Sequence, residues 1–203
     1  MSTVFLVHGG LWEPMNADRF WRAPGIVAAL EARDVSVLAP DRAQSPASWT
    51  EEVAVLRKRL PQEPVVLVGA SNGCSVAALL AIEHPESVER LVLAWPATSG
   101  DPVVDERTRA GFTSRGASAA IAEELLAADT LRGVRDEDLA LLSIPVAVLP
   151  SVPENPSHQR KTVEALLRLI PGSRELTGCP EPPTPDFPPH KDELAGTLAA
   201  FIG

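Results

Sequence analysis

Two cysteines in 203 residues, Cys74 and Cys179, are too few and too far apart for a disulfide scaffold. They point to a reducing compartment. Neither stands in a metal-ligand spacing, and no Cys-x-x-Cys or His-x-x-x-His pair occurs, so no metal and no cofactor is expected. Basic residues are also sparse: 18 Lys and Arg stand against 27 Asp and Glu, for a net charge of −9. Without clustered cations to neutralise phosphates, a nucleic-acid partner is excluded. No apolar run approaches the ~20 residues that span a bilayer, so no membrane role is expected. Met1 leads within a few residues into Val4-Phe5-Leu6-Val7 with no basic region or export signal, and a cytoplasmic protein is predicted. Nucleotide loops are missing as well, since no Gly-x-Gly-x-x-Gly follows residues 4–7 and no Lys follows Gly73.

What remains is an ordinary globular composition, 45% hydrophobic and 22% charged, in a chain suited to one domain over residues 1–203. Continuous short apolar runs at 4–7, 35–39, 65–68, 91–94 and 146–149 read as strands buried on both faces. Between them, 25–33, 49–60, 74–83, 162–170 and 192–202 carry helical spacing. The alternation predicts an α/β fold, a mostly parallel sheet of about six strands flanked by helices. Residues 98–142 break the rhythm and are predicted to form a short helical cap inserted over the carboxyl edge of the sheet. Seven prolines between 171 and 189 predict a stiff, extended surface segment.

The junction at Gly69-Ala70-Ser71-Asn72-Gly73 carries the most chemistry. It follows an apolar strand and opens an alanine-rich helix, the context a Gly-x-Ser-x-Gly nucleophile elbow requires. A serine at such a junction also serves as an ordinary helix N-cap, but a cap needs no glycine on both sides. After the first strand, His8-Gly9-Gly10 forms a turn in which the Gly10 N–H is predicted to join that of Asn72 as a pair of oxyanion donors.

These features resemble the α/β-hydrolase superfamily over nearly the whole chain: the His-Gly turn, the elbow at 69–73 and the strand that begins Val88-Glu89-Arg90-Leu91. The resemblance implies a minimal α/β-hydrolase fold and a serine hydrolase acting on a small-molecule ester, thioester or related acyl substrate. It further implies the chain order serine, acid, histidine, with the acid after the strand at 146–149 and the histidine after one more strand near 173–176. Glu154 fits the acid's place, although the family's aspartate usually stands directly before a proline, where this chain has Asn155. Asp101, beyond the strand ending near Trp95, is the rival acid. His190, the only histidine after the last predicted strand, is the predicted base, with His158 as runner-up. His8 is read as support for its loop and His84 as a helix end. Trp95 is the best pocket candidate among the indoles. The competing reading is a scaffold that no longer hydrolyses, a lyase, cyclase or small-molecule binding protein. A base beyond the reach of Ser71 would favour it.

Overall fold

The computed structural model describes residues 3–203. Its strands are β1 (Thr3–Val7), β2 (Ser36–Leu38), β3 (Val65–Ala70), β4 (Val88–Ala94), β5 (Val146–Leu149) and β6 (Arg174–Glu175). They form one six-stranded sheet in the order β2-β1-β3-β4-β5-β6, with every neighbouring pair parallel. The predicted α/β class and parallel sheet are borne out.

The helices are α1 (Ile26–Glu31), α2 (Trp49–Arg57), α3 (Gly73–Glu83), α4 (Pro102–Ser114), α5 (Ala119–Leu126), α6 (Asp136–Leu139), α7 (Arg160–Leu169) and α8 (Lys191–Ile202). Side chains alternate across a strand, so continuous apolar runs must feed two cores. Phe5, Val7, Leu67, Leu91, Leu93, Val146 and Val148 pack on one face against Val53 and Leu56 of α2, much of α3, and Val163 and Leu166 of α7. Val4, Leu6, Val66, Val68, Val92, Ala147 and Leu149 pack on the other, against Ile26, Ala29 and Leu30 of α1 and Leu194, Leu198 and Phe201 of α8.

Residues 98–142 hold α4, α5 and α6. Phe112, Ala122, Leu125 and Leu131 join the core on the α2–α3 face. Ser118 and Asp101 cap α5 and α4 through their side-chain oxygens. The proline-rich stretch departs from expectation. It is not wholly a surface segment, because Phe187 is completely buried in the α1–α8 core and ties the loop down. Among the described residues, no helix is long and apolar enough to cross a membrane.

The chain runs from β1 outward to β2, then returns to the other side of β1 as β3. In open parallel sheets, ligands bind outside the carboxyl ends where the direction of winding reverses. Here that point lies between β1 and β3, whose register pairs Val7 with Gly69. The turns at 8–10 and 71–73 therefore leave the sheet side by side.

Candidate active site

Ser71 sits at the tip of the turn after β3 with φ of 52°, a left-handed conformation that non-glycine residues seldom adopt. The turn is fixed from both ends: Ser71 N–H donates to the Ala94 carbonyl at 2.9 Å, and Cys74 N–H donates to the Ser71 carbonyl at 3.0 Å. Glycine is required on either side because the chain is in contact with itself. A Cβ on Gly69 would lie 2.5 Å from the Gly73 carbonyl oxygen, and one on Gly73 would lie 2.7 Å from the carbonyl oxygens of Val7 and His8.

The imidazole that meets this hydroxyl belongs to His158. Its Nε2 is 2.9 Å from Ser71 Oγ. On the far side of the ring, Nδ1 is 2.5 Å from Glu181 Oε1, a close polar contact whose angle falls short of a linear hydrogen bond. The same carboxylate oxygen accepts from Asn155 Nδ2 at 3.1 Å and Ser151 Oγ at 3.2 Å. Burial alone pushes the Glu181 carboxyl upward, but the His158 contact and the hydrogen bonds from Asn155 and Ser151 outweigh it and hold the group below the ordinary carboxylate range. Glu181 is therefore ionised at neutral pH and faces the ring that would carry a proton taken from Ser71.

Loop anchors hold both partners. Thr98 clamps the His158 loop on either flank, its N–H donating to the Ser157 carbonyl at 2.7 Å and its Oγ1 accepting from Gln159 N–H at 2.9 Å. The Trp95 indole N–H donates to the Cys179 carbonyl at 2.8 Å, two residues before Glu181.

The structure does not bring the predicted base and acid to Ser71. His190 stands at the N-cap position of α8 without a capping bond from its side chain and lies 3.9 Å from Glu193, outside the residues that line the Ser71 cavity. The proline loop that carries it turns its buried Phe187 toward the α1–α8 core instead. Glu154 accepts from Arg160 N–H at 2.7 Å, so its carboxylate is used to cap the first turn of α7. The rival Asp101 caps α4 and pairs with Lys161 at 2.7 Å. Trp95, the expected pocket indole, is fully buried against Phe20 and Trp21. The runner-up base, His158, occupies the place predicted for His190. Glu181 was absent from the sequence reading. Its one available signal is its position in the loop after β6, where the pattern placed the histidine. The residue types of the two loops are exchanged: the histidine follows β5 and the acid follows β6.

Gly10 and Asn72 both border the cavity with Ser71 and His158. Among the described residues, neither backbone N–H donates to another group of the protein. Behind Gly10 lies a buried network. Arg42 donates through Nη1 to the carbonyls of His8 at 2.8 Å and Gly10 at 2.7 Å, and through Nε and Nη2 to the two oxygens of Glu52 at 3.2 and 2.8 Å. Its own backbone N–H donates to His8 Nε2 at 3.1 Å, and His8 Nδ1 faces the Gly9 carbonyl at 2.7 Å. His8 thus accepts at one nitrogen and donates at the other, which is the neutral ring. Burial, and then the charge of Arg42, press its pKa down to about 4 from 6.5.

That shift has a sign. Between 6.5 and 4 the unfolded chain binds a proton that the folded chain refuses, so stability is lost as pH falls through this window. By linkage the loss attributable to His8 between pH 7.5 and 5 is about 2 kcal/mol. Urea unfolding at the two pH values measures it. The variant His8→Gln has no titrating ring and is expected to lose that increment, and an unchanged difference in the variant contradicts this account.

The cavity beside Ser71 has a volume of about 540 Å³. Its outer wall is one face of α4, and Arg132 closes its inner end. Arg132 is almost fully buried, with Nη1 donating to Asn72 Oδ1 at 2.9 Å and Nη2 to the Thr98 carbonyl at 2.9 Å and Asp105 Oδ1 at 3.1 Å. It ties the 98–142 segment to the residue that follows the serine. Among the described residues, no group of three or more His, Cys, Asp or Glu side chains is placed to hold a metal ion.

Comparison with known proteins agrees with this architecture. A family model described as the alpha/beta hydrolase fold matches residues 3–114. Among solved structures, an extracellular α/β-hydrolase from a Paenibacillus species superposes with a TM-score of 0.73 at 15% identity, covering 100% of this chain and 99% of the other. A meta-cleavage product hydrolase from Pseudomonas fluorescens gives 0.69 at 18% identity, covering 99% and 92%. NosK from Streptomyces actuosus gives 0.68 at 22% identity, covering 99% and 98%. No curated protein matches the chain.

Proposed function

The chain belongs to the α/β-hydrolase fold family, and from that premise we propose that it is a serine hydrolase cleaving a small carboxylic ester, thioester or related acyl compound. The observation that carries the reading is the contact series from Ser71 Oγ through His158 to Glu181. His158 Nε2 takes the Ser71 proton as Oγ attacks the acyl carbon, and the Gly10 and Asn72 N–H groups receive the oxyanion. The bond to the leaving group breaks as His158 returns the proton to it. Water, deprotonated by the same ring, then cleaves the acyl-serine and restores the hydroxyl. Glu181 keeps the imidazole oriented and stabilises its charged form. Residues 98–142 act as the cap that shapes the acyl pocket. A cytoplasmic setting belongs to the same proposal, in keeping with two free cysteines.

A serine with no base in reach would favour the non-hydrolytic alternative, whereas an imidazole nitrogen at 2.9 Å supports the hydrolase reading. A fluorophosphonate probe is the direct test. The native protein is expected to take one label on Ser71, located by peptide mass, and to turn over p-nitrophenyl butyrate. Ser71→Ala is expected to take none. A native protein that stays unlabelled and inert toward acyl substrates ends the proposal.

A further inference from the structure

The charge of the cavity wall runs against the charge of the chain. The protein carries a net −9, yet the residues around the Ser71 cavity include Arg107, Arg115 and Arg132, with Glu13 as the one carboxylate. Arg132 is matched by Asp105. Arg107 and Arg115 differ from the other arginines of this region. Arg109, on the same helix but turned away from the cavity, pairs with both Glu106 and Glu123. Among the described residues, Arg107 has no carboxylate partner, and the one side-chain bond of Arg115, the C-cap of α4, is to the Gly111 carbonyl in the last turn of that helix. Within residues 98–142, then, the guanidinium groups without a carboxylate partner are two that border the cavity. If Glu13, on the facing turn, offsets one of them, an uncompensated cation still remains at the mouth.

Their spacing is set by the helix. Positions 104, 108, 111 and 112 of α4, with the C-cap at 115, recur every three or four residues along its cavity face. Arg107 and Arg115 stand two turns apart, ~12 Å along the axis at 1.5 Å per residue. Guanidinium groups present planar, paired donors suited to carboxylate and phosphate oxygens, and they are weakly hydrated, so little is lost on binding.

Resting on the hydrolase reading above, we infer that the substrate is an ester bearing an anionic group, carboxylate or phosphate, remote from the bond cleaved, and that Arg107 and Arg115 bind it. The arginines act as specificity determinants. A substrate so oriented presents its acyl carbon to Ser71 while its charged end stays at the wetter rim.

The test is binding to Ser71→Ala protein, which leaves the esters intact and so reads anion preference apart from turnover. The probes are monoethyl adipate and its uncharged primary amide, and 2-butyryloxyethyl phosphate against 2-methoxyethyl butyrate, measured by titration calorimetry. In at least one pair the anion is expected to bind about tenfold tighter at low salt, as a charge-assisted contact supplies. That preference is expected to shrink in 0.5 M NaCl as screening shortens the reach of exposed charges. Adding Arg107→Ala and Arg115→Ala brings the ratio to near one, whereas Arg109→Ala leaves it in place. The pair that responds identifies the anion as carboxylate or phosphate. Equal affinity for anion and neutral analogue in both pairs, or a preference that survives loss of both arginines, overturns the inference. Failure of the hydrolase reading would appear separately, as absence of fluorophosphonate labelling in the native protein.

Discussion

Replacing His158 with alanine is expected to lower turnover of p-nitrophenyl butyrate by about 10⁶-fold, while His190→Ala leaves it within about threefold. The first figure is what loss of the base removes in a serine mechanism, about 8 kcal/mol of barrier at 1.36 kcal/mol per decade. The second follows from placement, since His190 is partly exposed at the start of α8, 3.9 Å from Glu193 and away from the cavity. Glu181→Gln should fall between them, at about 10⁴-fold, because the amide keeps the shape of the site but loses the charge that steadies the imidazolium. Glu154→Gln should cost little activity, as its carboxylate serves the amide of Arg160. Ser71 and His158 act as one unit, so the double variant should be no slower than either single variant. Steady-state rates on proteins of verified fold decide the matter. A His158→Ala enzyme that keeps a tenth of its activity, or a His190→Ala enzyme that loses nearly all of it, would refute the assignment.

The largest effect on stability is expected at Glu52. Its side chain is fully buried and receives both a 2.8 Å and a 3.2 Å hydrogen bond from the equally buried Arg42. Glu52→Gln leaves the guanidinium charged and uncompensated in the interior, a change that costs about 3–5 kcal/mol. For a chain of this size each kcal/mol moves the midpoint by about 2–4 °C, so the melting temperature should fall by about 10 °C. An apolar pair, Arg42→Met with Glu52→Leu, removes both charges and elsewhere often restores stability. Here it should restore only part, because the carbonyls of His8 and Gly10 lose the donor that Arg42 Nη1 supplies. The same double variant should also turn over substrate more slowly below its melting temperature, since the Gly10 N–H is held by that arginine's grip on its turn. Calorimetric unfolding and rates measured on the two proteins separate the outcomes. A Glu52→Gln protein as stable as the parent would show that the buried pair contributes nothing.

Local pattern carried the scaffold. The run at 65–68 followed by Gly69-Ala70-Ser71-Asn72-Gly73 has one stable solution, a buried strand turning sharply into a helix, because only glycine fits where Gly69 meets the Gly73 carbonyl and Gly73 meets those of Val7 and His8. The continuous apolar strands had to be covered on both faces, which made helices on each side of a parallel sheet unavoidable. The helix expected at 49–60 forms as Trp49–Arg57, and that expected at 74–83 as Gly73–Glu83. In the proline-rich stretch composition misled, since it registers stiffness and polarity but not the single buried Phe187 that draws the segment inward.

By itself, then, the sequence determined the α/β layering, the serine at its strained bend and the two loops, after β5 and β6, that reach the same rim. Which side chain from each loop turns toward the serine was decided only by the tertiary structure. Chain order is blind to it, because β5 and β6 lie side by side in the sheet beyond β4 and their loops leave the same edge, so either loop can carry the imidazole to the serine. Here the loop after β5 brings His158 to the hydroxyl and the loop after β6 brings Glu181 to the far side of the ring. The contacts that fix this arrangement, Thr98 on the His158 loop and Trp95 on the Glu181 loop, join residues 59 to 84 positions apart and exist only once the sheet has assembled.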